Sequence, residues 1–157
     1  MHTFSERLAV GTELERRVAD ELRHREWAVD PWGQDVLSEP IRDALWRSDS
    51  RLRYLPDLIA ARAGQLVTID CKDRMRSSTS DRYAVKRESV RFGLQLAALG
   101  IPMFYVFGNL GALLPTEIMS YGRLGPRATG SGAYYLIHEG IAHQFDDVFG
   151  YSASVAA

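Results

Sequence analysis

Two adjacent apolar segments joined by a short glycine-containing connection constrain the fold of this chain more than any other feature. Leu55 to Ala61 and Gln65 to Lys72 are rich in apolar and β-branched residues, and Arg62-Ala63-Gly64 lies between them. Segments of this length around a short connection with Gly are typical of a β-hairpin. The sequence therefore predicts two antiparallel strands.

Three polar side chains meet at the open end of this predicted hairpin. Because side chains alternate between the faces of a strand, Asp70 and Lys72 share one face and Cys71 points to the other. Asp57 stands near the start of the first strand, so antiparallel pairing brings it to the same end of the sheet as Asp70. Cys71 is interpreted as a small core residue, because free cysteines are commonly buried.

Two carboxylates beside a lysine suit the hydrolysis of a phosphodiester. That reaction uses a divalent ion to neutralise the phosphate, an activated water and charge stabilisation in the transition state. Mg²⁺ and Mn²⁺ prefer oxygen ligands, so Asp57, Asp70 and the carbonyl of Cys71 are candidate metal ligands. Lys72 would orient or deprotonate the water, or stabilise charge on phosphorus. The plainer interpretation is a surface hairpin with an Asp–Lys ion pair.

Helical and strand patterns alternate along the rest of the chain, which predicts the α/β class. Apolar residues at helical spacing mark the first helix, namely Val10, Leu14, Val18 and Leu22. The other predicted elements are a strand at Trp27 to Val29, a short helix at Ile41 to Arg47, a helix marked by Val85, Ser89, Phe92, Leu96 and Leu99 and ended by Gly100, a buried strand at Met103 to Phe107, a short helix after Thr116, and a strand at Ala133 to His138.

Size and composition predict one globular domain over residues 1–157, because 46% of the residues are hydrophobic. The apolar stretches are far shorter than the roughly 20 residues that cross a bilayer, and the N-terminus lacks a signal-peptide core. We therefore expect a cytoplasmic protein without membrane attachment. A single cysteine excludes an internal disulfide.

The charge of the chain is unevenly distributed. A net charge of −1 argues against a protein that coats nucleic acid through overall positive charge. Basic residues nevertheless cluster around the candidate carboxylates. A basic cluster is most often a solvated surface, but beside acidic residues it favours a phosphate-binding rim. The basic residues that flank the candidate carboxylates are Arg47, Arg51, Arg53, Lys72, Arg74, Arg76, Arg82, Lys86, Arg87 and Arg91.

Pro56-Asp57 and Asp70-Cys71-Lys72 match the motif of the PD-(D/E)XK nuclease superfamily, which this chain resembles. The order of predicted elements is also that of the superfamily core, α-β-β-β-α-β. Within the superfamily, residues 11–107 are most similar to the archaeal-type Holliday-junction resolvases. The stretches that carry this resemblance are Glu-Arg-Arg-Val-Ala-Asp-Glu-Leu from Glu15, Trp-Ala-Val from Trp27, Pro-Asp-Leu-Ile-Ala from Pro56, Tyr-Ala-Val-Lys-Arg from Tyr83 and Phe-Gly-Leu-Gln-Leu from Phe92.

The resemblance implies a restriction-endonuclease-like core over residues 11–107, with a central mixed sheet flanked by helices, and a C-terminal extension over residues 108–157. It implies that Lys72 is the catalytic lysine and that Glu15 is the helix-borne carboxylate; the family usually has Glu at the position of Asp70. The implied ligands of Mg²⁺ or Mn²⁺ are Glu15, Asp57, Asp70 and the Cys71 carbonyl.

The resemblance further implies a DNA endonuclease that acts on branched DNA such as a Holliday junction. A homodimer is implied with it, because a symmetric junction needs two coordinated cuts. The alternatives are a restriction-like, repair or phage-type nuclease on linear, flap or single-stranded DNA, and a catalytically inactive DNA-binding module of the same fold.

Several residues have weaker claims to a role. Glu13 and Glu21 lie on the first helix and are alternatives to Glu15. The others, each with a plainer structural interpretation, are Ser48 and Ser50 as phosphate contacts, Trp32 and Trp46 as stacking surfaces for bases, Gln95 near the site, and His138 and His143 as metal ligands.

Overall fold

The computed structural model describes residues 4–72, 81–125 and 133–152. The α-helices are α1 (Phe4–Arg23), α2 (Glu39–Arg47), α3 (Arg87–Ala98), α4 (Pro115–Tyr121) and α5 (Phe145–Phe149), and the strands are β1 (Ala28–Pro31), β2 (Leu58–Arg62), β3 (Gln65–Lys72), β4 (Arg82–Lys86), β5 (Met103–Phe107), β6 (Ala112–Leu113), β7 (Arg123–Leu124) and β8 (Tyr134–His138). Short 3-10 helices span Gly33–Val36, Arg51–Tyr54 and Glu139–Ile141.

The central sheet has five strands in the order β1-β2-β3-β5-β6. Its pairings are antiparallel except between β3 and β5, which run parallel. The parallel pair needs a crossover connection, and α3 lies within it. Apolar residues of α1 cover one face of the sheet, and those of α3 and α4 cover the other. The predicted mixed sheet flanked by helices is confirmed.

The first helix forms and ends for local reasons. Leu14, Val18 and Leu22 lie on one face of α1 and are buried, and burial of each such side chain contributes about 1.5–3 kcal/mol. At the end of α1 the backbone of Glu26 adopts a φ of 65°. The N–H of Trp27 then donates to the carbonyl of Leu22 at 3.1 Å, which turns the chain into β1.

The β2–β3 hairpin is tighter than the sequence predicted. Arg62 pairs with Gln65, so it belongs to β2 and leaves only two residues in the turn. Ala63 and Gly64 have φ values of 50° and 78°. Positive φ at both central residues is the type I′ arrangement, which matches the right-handed twist of the strands.

A second sheet, β4-β8-β7, was only partly predicted. The prediction that places Val85 on a helix is wrong, because Val85 is a buried strand residue that pairs with Tyr135 of β8. The helix begins at Arg87 instead. The prediction that Leu99 faces the core is also wrong, since α3 ends at Ala98 and Leu99 is 78% exposed.

Residues after β5 pack against the start of the chain. The indole N–H of Trp27 donates to the carbonyl of Phe149 at 2.8 Å. Phe145 and Phe149 are buried in the same cluster as the apolar face of α1.

In the part of the chain that the structure describes, no helix combines the length and apolar character needed to cross a membrane. Arg74 and Arg76, together with residues 126–132 and 153–157, lie outside the described residues.

Candidate active site

Asp57 and Asp70 stand side by side at one end of the hairpin. The β2–β3 register ends with Leu58 opposite Ile69, and one further step along both strands sets Asp57 opposite Asp70. A carboxylate oxygen of Asp57 accepts the backbone N–H of Cys71 at 2.7 Å, which ties the two strand ends together. The predicted approach of these carboxylates is thus present in the fold.

The environment of Asp57 disfavours its ionised form. Burial raises the pKa of Asp57 well above its usual value, and the nearby charge of Asp70 raises it further. Lys72 and the N–H of Cys71 act in the opposite direction, but they do not outweigh these effects. The two carboxylates therefore lie close enough to repel each other, which is typical of a site that binds a cation.

Lys72 forms an ion pair with Asp70, with 2.9 Å between Nζ and the carboxylate oxygen. Burial by itself would lower the pKa of Lys72, but Asp70 and Asp57 raise it above its usual value. Lys72 is 25% exposed and the Asp70 side chain only 9%. Strand alternation correctly predicted this pair on one face of β3.

A close backbone approach holds the strand that carries Asp57. The N–H of Trp32 donates to the carbonyl of Asp57 at 2.7 Å. The next residue, Gly33, has a φ of 74°, and a Cβ built on it would lie 2.5 Å from the carbonyl oxygen of Pro56. Only glycine fits this contact without a shift of the backbone. The 3-10 helix at Gly33–Val36 is therefore packed directly on the Pro-Asp motif.

Glu15 on α1 lies near enough to the end of β3 for its charge to act on Cys71. Its charge is one of the causes that raise the pKa of the Cys71 thiol, after burial, Asp57 and Asp70. The two alternatives have other surroundings: Glu13 is exposed, and Glu21 accepts a 2.7 Å hydrogen bond from Arg25. Of the three glutamates, the structure favours Glu15 as the one near the site.

Cys71 contacts the carboxylate of Asp57 through its backbone N–H, not through its thiol. Its side chain packs against the cluster under α1, on the face opposite Asp70. Burial and the surrounding carboxylates raise the pKa of the thiol well above its usual value. The thiol is therefore a poor nucleophile, as the sequence predicted.

A buried hydroxyl pair behind Asp70 was missed by the sequence analysis. Tyr105 lies beside Asp70 in the β3–β5 register, and its hydroxyl is 2.7 Å from that of Ser89 on α3. Burial and then the charge of Asp70 raise the pKa of Tyr105 well above its usual value. A serine on the apolar face of the predicted helix was the available signal, because a buried hydroxyl needs a partner.

The donor set fits a hard divalent cation. Among the described residues, no group of three or more His, Cys, Asp or Glu side chains is placed to hold a metal ion. Magnesium sites, however, commonly use one or two carboxylates together with water and substrate phosphates. Asp57 and Asp70 supply such a pair, and Lys72 places one positive charge beside them. The four-ligand set with Glu15 and the Cys71 carbonyl stays a prediction.

The candidate serines and histidines have structural contacts. Ser48 donates to the carbonyl of Leu45, and Ser50 caps the following 3-10 helix. Gln95 is exposed. His138 accepts the N–H of Gly140, and His143 bonds to Glu117.

Fold and site together define a class: a restriction-endonuclease-like α/β fold with a carboxylate–lysine site at the end of a hairpin. No protein-family model matches the chain, and no curated protein matches it. Solved structures do match. Hjc of Archaeoglobus fulgidus, a Holliday junction resolvase from an archaeal hyperthermophile, superposes with a TM-score of 0.57 at 15% sequence identity, over 89% of this chain and 100% of its own. The predicted resemblance to archaeal-type resolvases is thus confirmed in the fold.

Proposed function

We propose that this chain is a metal-dependent DNA endonuclease. One observation carries the proposal: Asp57 and Asp70 are neighbours on adjacent strands, with Lys72 ion-paired to Asp70, in the fold of a known resolvase. A surface hairpin with an ordinary ion pair would not bury Asp70 or bring a second carboxylate beside it.

Each residue of the site would have a separate role in phosphodiester hydrolysis. Asp57 is oriented by the N–H of Cys71 and Asp70 by Lys72, and the two carboxylates together would hold the metal ion. Lys72 stabilises negative charge on the phosphate and orients the attacking water. Glu15 approaches from α1 and completes the acidic side of the site. Bound Mg²⁺ or Mn²⁺ would neutralise the phosphate and lower the pKa of a water molecule.

The first prediction concerns cleavage. The purified protein should cut a four-way DNA junction when Mg²⁺ or Mn²⁺ is present, as followed by gel electrophoresis. Asp57→Asn, Asp70→Asn and Lys72→Ala should each lower the rate by about 100-fold or more, because the first two remove carboxylates that would hold the metal ion and the third removes the positive charge beside the phosphate.

A matched variant controls for the loss of a carboxylate as such. Asp147 is an exposed aspartate of α5, and Asp147→Asn should cut at the rate of the unmodified protein. Circular dichroism would verify that all variants are folded. Undiminished cleavage by the Asp57→Asn and Asp70→Asn proteins would overturn the assignment.

We infer that the substrate is branched DNA and that the protein acts as a homodimer. The support is the resolvase fold, since Hjc is named a Holliday junction resolvase, together with the motif resemblance. A panel of four-way junction, flap, linear duplex and single-stranded DNA tests the substrate, and analytical ultracentrifugation tests the dimer. Preferred cutting of linear duplex would instead favour a restriction-like enzyme. DNA binding without cleavage or metal binding would favour an inactive module.

A further inference from the structure

The segment between β1 and β2 carries an exposed surface that the proposed catalytic residues do not use. Helix α2 has no buried residue, although Pro40 and the apolar side chains of Ile41 and Trp46 lie within it. Trp46 is 47% exposed, whereas Trp27 in the core is only 4% exposed. An exposed aromatic side chain on a helix that has no buried residue is a candidate binding surface.

Three side chains at this surface form an ordered stack. The guanidinium of Arg53 lies 5.5 Å from the ring centroid of Trp46 and 5.5 Å from that of Tyr54. Arg53 donates hydrogen bonds to the backbone carbonyls of Trp46 and Ser50, at 3.3 and 3.1 Å. Its side chain is 20% exposed. Arg53 therefore contacts both rings, and its hydrogen bonds to two backbone carbonyls hold its guanidinium in place.

The stack lies on the same side of the sheet as the candidate active site. Tyr54 packs against the cluster that contains Tyr105 and Phe107, which is the face toward which Asp70 points. Tyr54 is also only three residues before Asp57. Arg51, from the same 3-10 helix as Tyr54, lies 4.0 Å from Glu88 in the first turn of α3. A DNA strand across the carboxylates would thus pass close to the stack.

The chemistry of the surface favours nucleic acid over a protein partner. Aromatic and arginine planes stack on unpaired bases without regard to sequence, and each such contact contributes about 1–3 kcal/mol. Arg47 is exposed in the same segment and can contact a phosphate. Arg51 is also exposed, and at 4.0 Å its contact with Glu88 is long enough for a phosphate to replace it. An exposed aromatic group within an arginine-rich segment matches this combination of base and backbone recognition.

We propose that the Trp46–Arg53–Tyr54 stack binds an unpaired base of a DNA strand beside the scissile phosphate. This proposal rests on the proposed nuclease function, which supplies the strand. It extends that function by assigning recognition of unpaired bases to a surface that lies outside the carboxylate–lysine motif.

Binding measured without divalent metal tests the stack separately from cleavage. An oligothymidylate of about 12 nucleotides, a common site size for single-strand binding, is titrated in EDTA and followed by tryptophan fluorescence and anisotropy. The unmodified protein should bind with quenching. Trp46→Ala should weaken binding by about 5- to 150-fold. Trp46→Phe should retain most of the affinity but lose most of the quenching.

Two comparisons separate base stacking from other causes. An abasic strand of equal length should bind the unmodified protein as weakly as the oligothymidylate binds Trp46→Ala. Tyr121→Ala removes an exposed aromatic side chain of α4 and should leave affinity unchanged. Equal affinity of Trp46→Ala and unmodified protein would overturn the proposal, and so would a dimer that Trp46→Ala dissociates without loss of DNA binding. If the protein bound the oligothymidylate as expected but did not cleave DNA with Mg²⁺ or Mn²⁺, the proposed nuclease function would be wrong and the base-binding surface would stand.

Discussion

Gly33 and Gly64 share a backbone conformation but differ in their surroundings. Their φ values are 74° and 78°, in the region that side chains with Cβ rarely adopt. A Cβ on Gly64 would meet nothing within 4 Å, whereas one on Gly33 would lie 2.5 Å from the carbonyl oxygen of Pro56. Gly33 is therefore a residue through which the position of Asp57 depends on a neighbouring segment.

This pair of glycines gives a matched prediction. Gly64→Ala should cost about 1–2 kcal/mol of unfolding free energy through its backbone conformation alone, and cleavage should persist. Gly33→Ala should cost about 2–4 kcal/mol, because the clash adds to the strain. It should also slow cleavage by about 100-fold at a temperature where it is folded, since a displacement of Asp57 misaligns the site. Urea titration and a cleavage assay measure both effects, and equal cleavage by the two variants would contradict this role of Gly33.

Residue-scale prediction succeeded where one local rule sufficed. Alternation along β3 was enough to place Asp70 beside Lys72, because the strand period is two. The Ser89–Tyr105 hydroxyl pair needed the packing of α3 on β5, which no local pattern contains. The role of Gly33 has no local signal either, because its contact with Pro56 joins residues distant in sequence.

At the scale of elements, α1 is joined to α5 by Arg25. This arginine is only 8% exposed, and its guanidinium donates to the carboxylates of Glu21 and Asp146 and to the carbonyl of Gly150. It also lies 4.8 Å from the ring centroid of Phe145. A buried charge with this many partners costs stability when a partner is removed.

Arg25→Met should lower the unfolding free energy by about 2–3 kcal/mol. The value is below the 3–5 kcal/mol of a fully buried pair because Glu21 and Asp146 are partly exposed. Arg23→Met is the control, since Arg23 is half exposed and lies 3.5 Å from Asp20 in an i,i+3 pair; it should change stability by no more than about 0.5 kcal/mol. Similar urea midpoints for the two variants would contradict the role of Arg25 in holding α5 against α1.

The elements themselves show why α3 was predicted with the wrong start. Tyr83 and Val85 alternate as in a strand, yet Val85 and Ser89 also have helical spacing. The ambiguity is resolved by β8, which pairs Val85 with Tyr135. A partner strand some 50 residues away in sequence leaves no signal near Val85, so the helix pattern alone was followed. β5, whose residues are almost all buried, needed no such partner information.

At the scale of the whole molecule, we propose that residues 1–157 unfold as one unit. Phe149 is fully buried against Trp27, with ring centroids 6.0 Å apart. Phe149→Ala should therefore cost about 3–5 kcal/mol. Unfolding followed by tryptophan fluorescence and by far-ultraviolet circular dichroism should give coincident transitions. Tyr151→Ala, at an exposed position, should leave the midpoint within about 0.5 kcal/mol. Separate transitions would reveal an independently folding extension.

The resemblance covered residues 11–107 and treated the remainder as an extension. The fold assigns that remainder structural contacts: β6 completes the central sheet, β8 pairs with β4, and α5 packs on α1. A motif has fixed residue types and can be recognised in a sequence, whereas these packing contacts can be formed by many combinations of apolar residues. The core was therefore predictable from its motif, and the packing of the C-terminal part was not.

The two-residue turn at Ala63 and Gly64 lies about 20 Å along β3 from Asp70. Turns at the surface usually tolerate insertions and deletions. A slip of one residue in the pairing of β3 would send its side chains to the opposite face, so Cys71 would replace Asp70 and Lys72 among the site residues. One added residue is compatible with the site only when a three-residue turn absorbs it and leaves Leu58 paired with Ile69. The length of this distant turn is therefore coupled to the identity of the side chains that face the site.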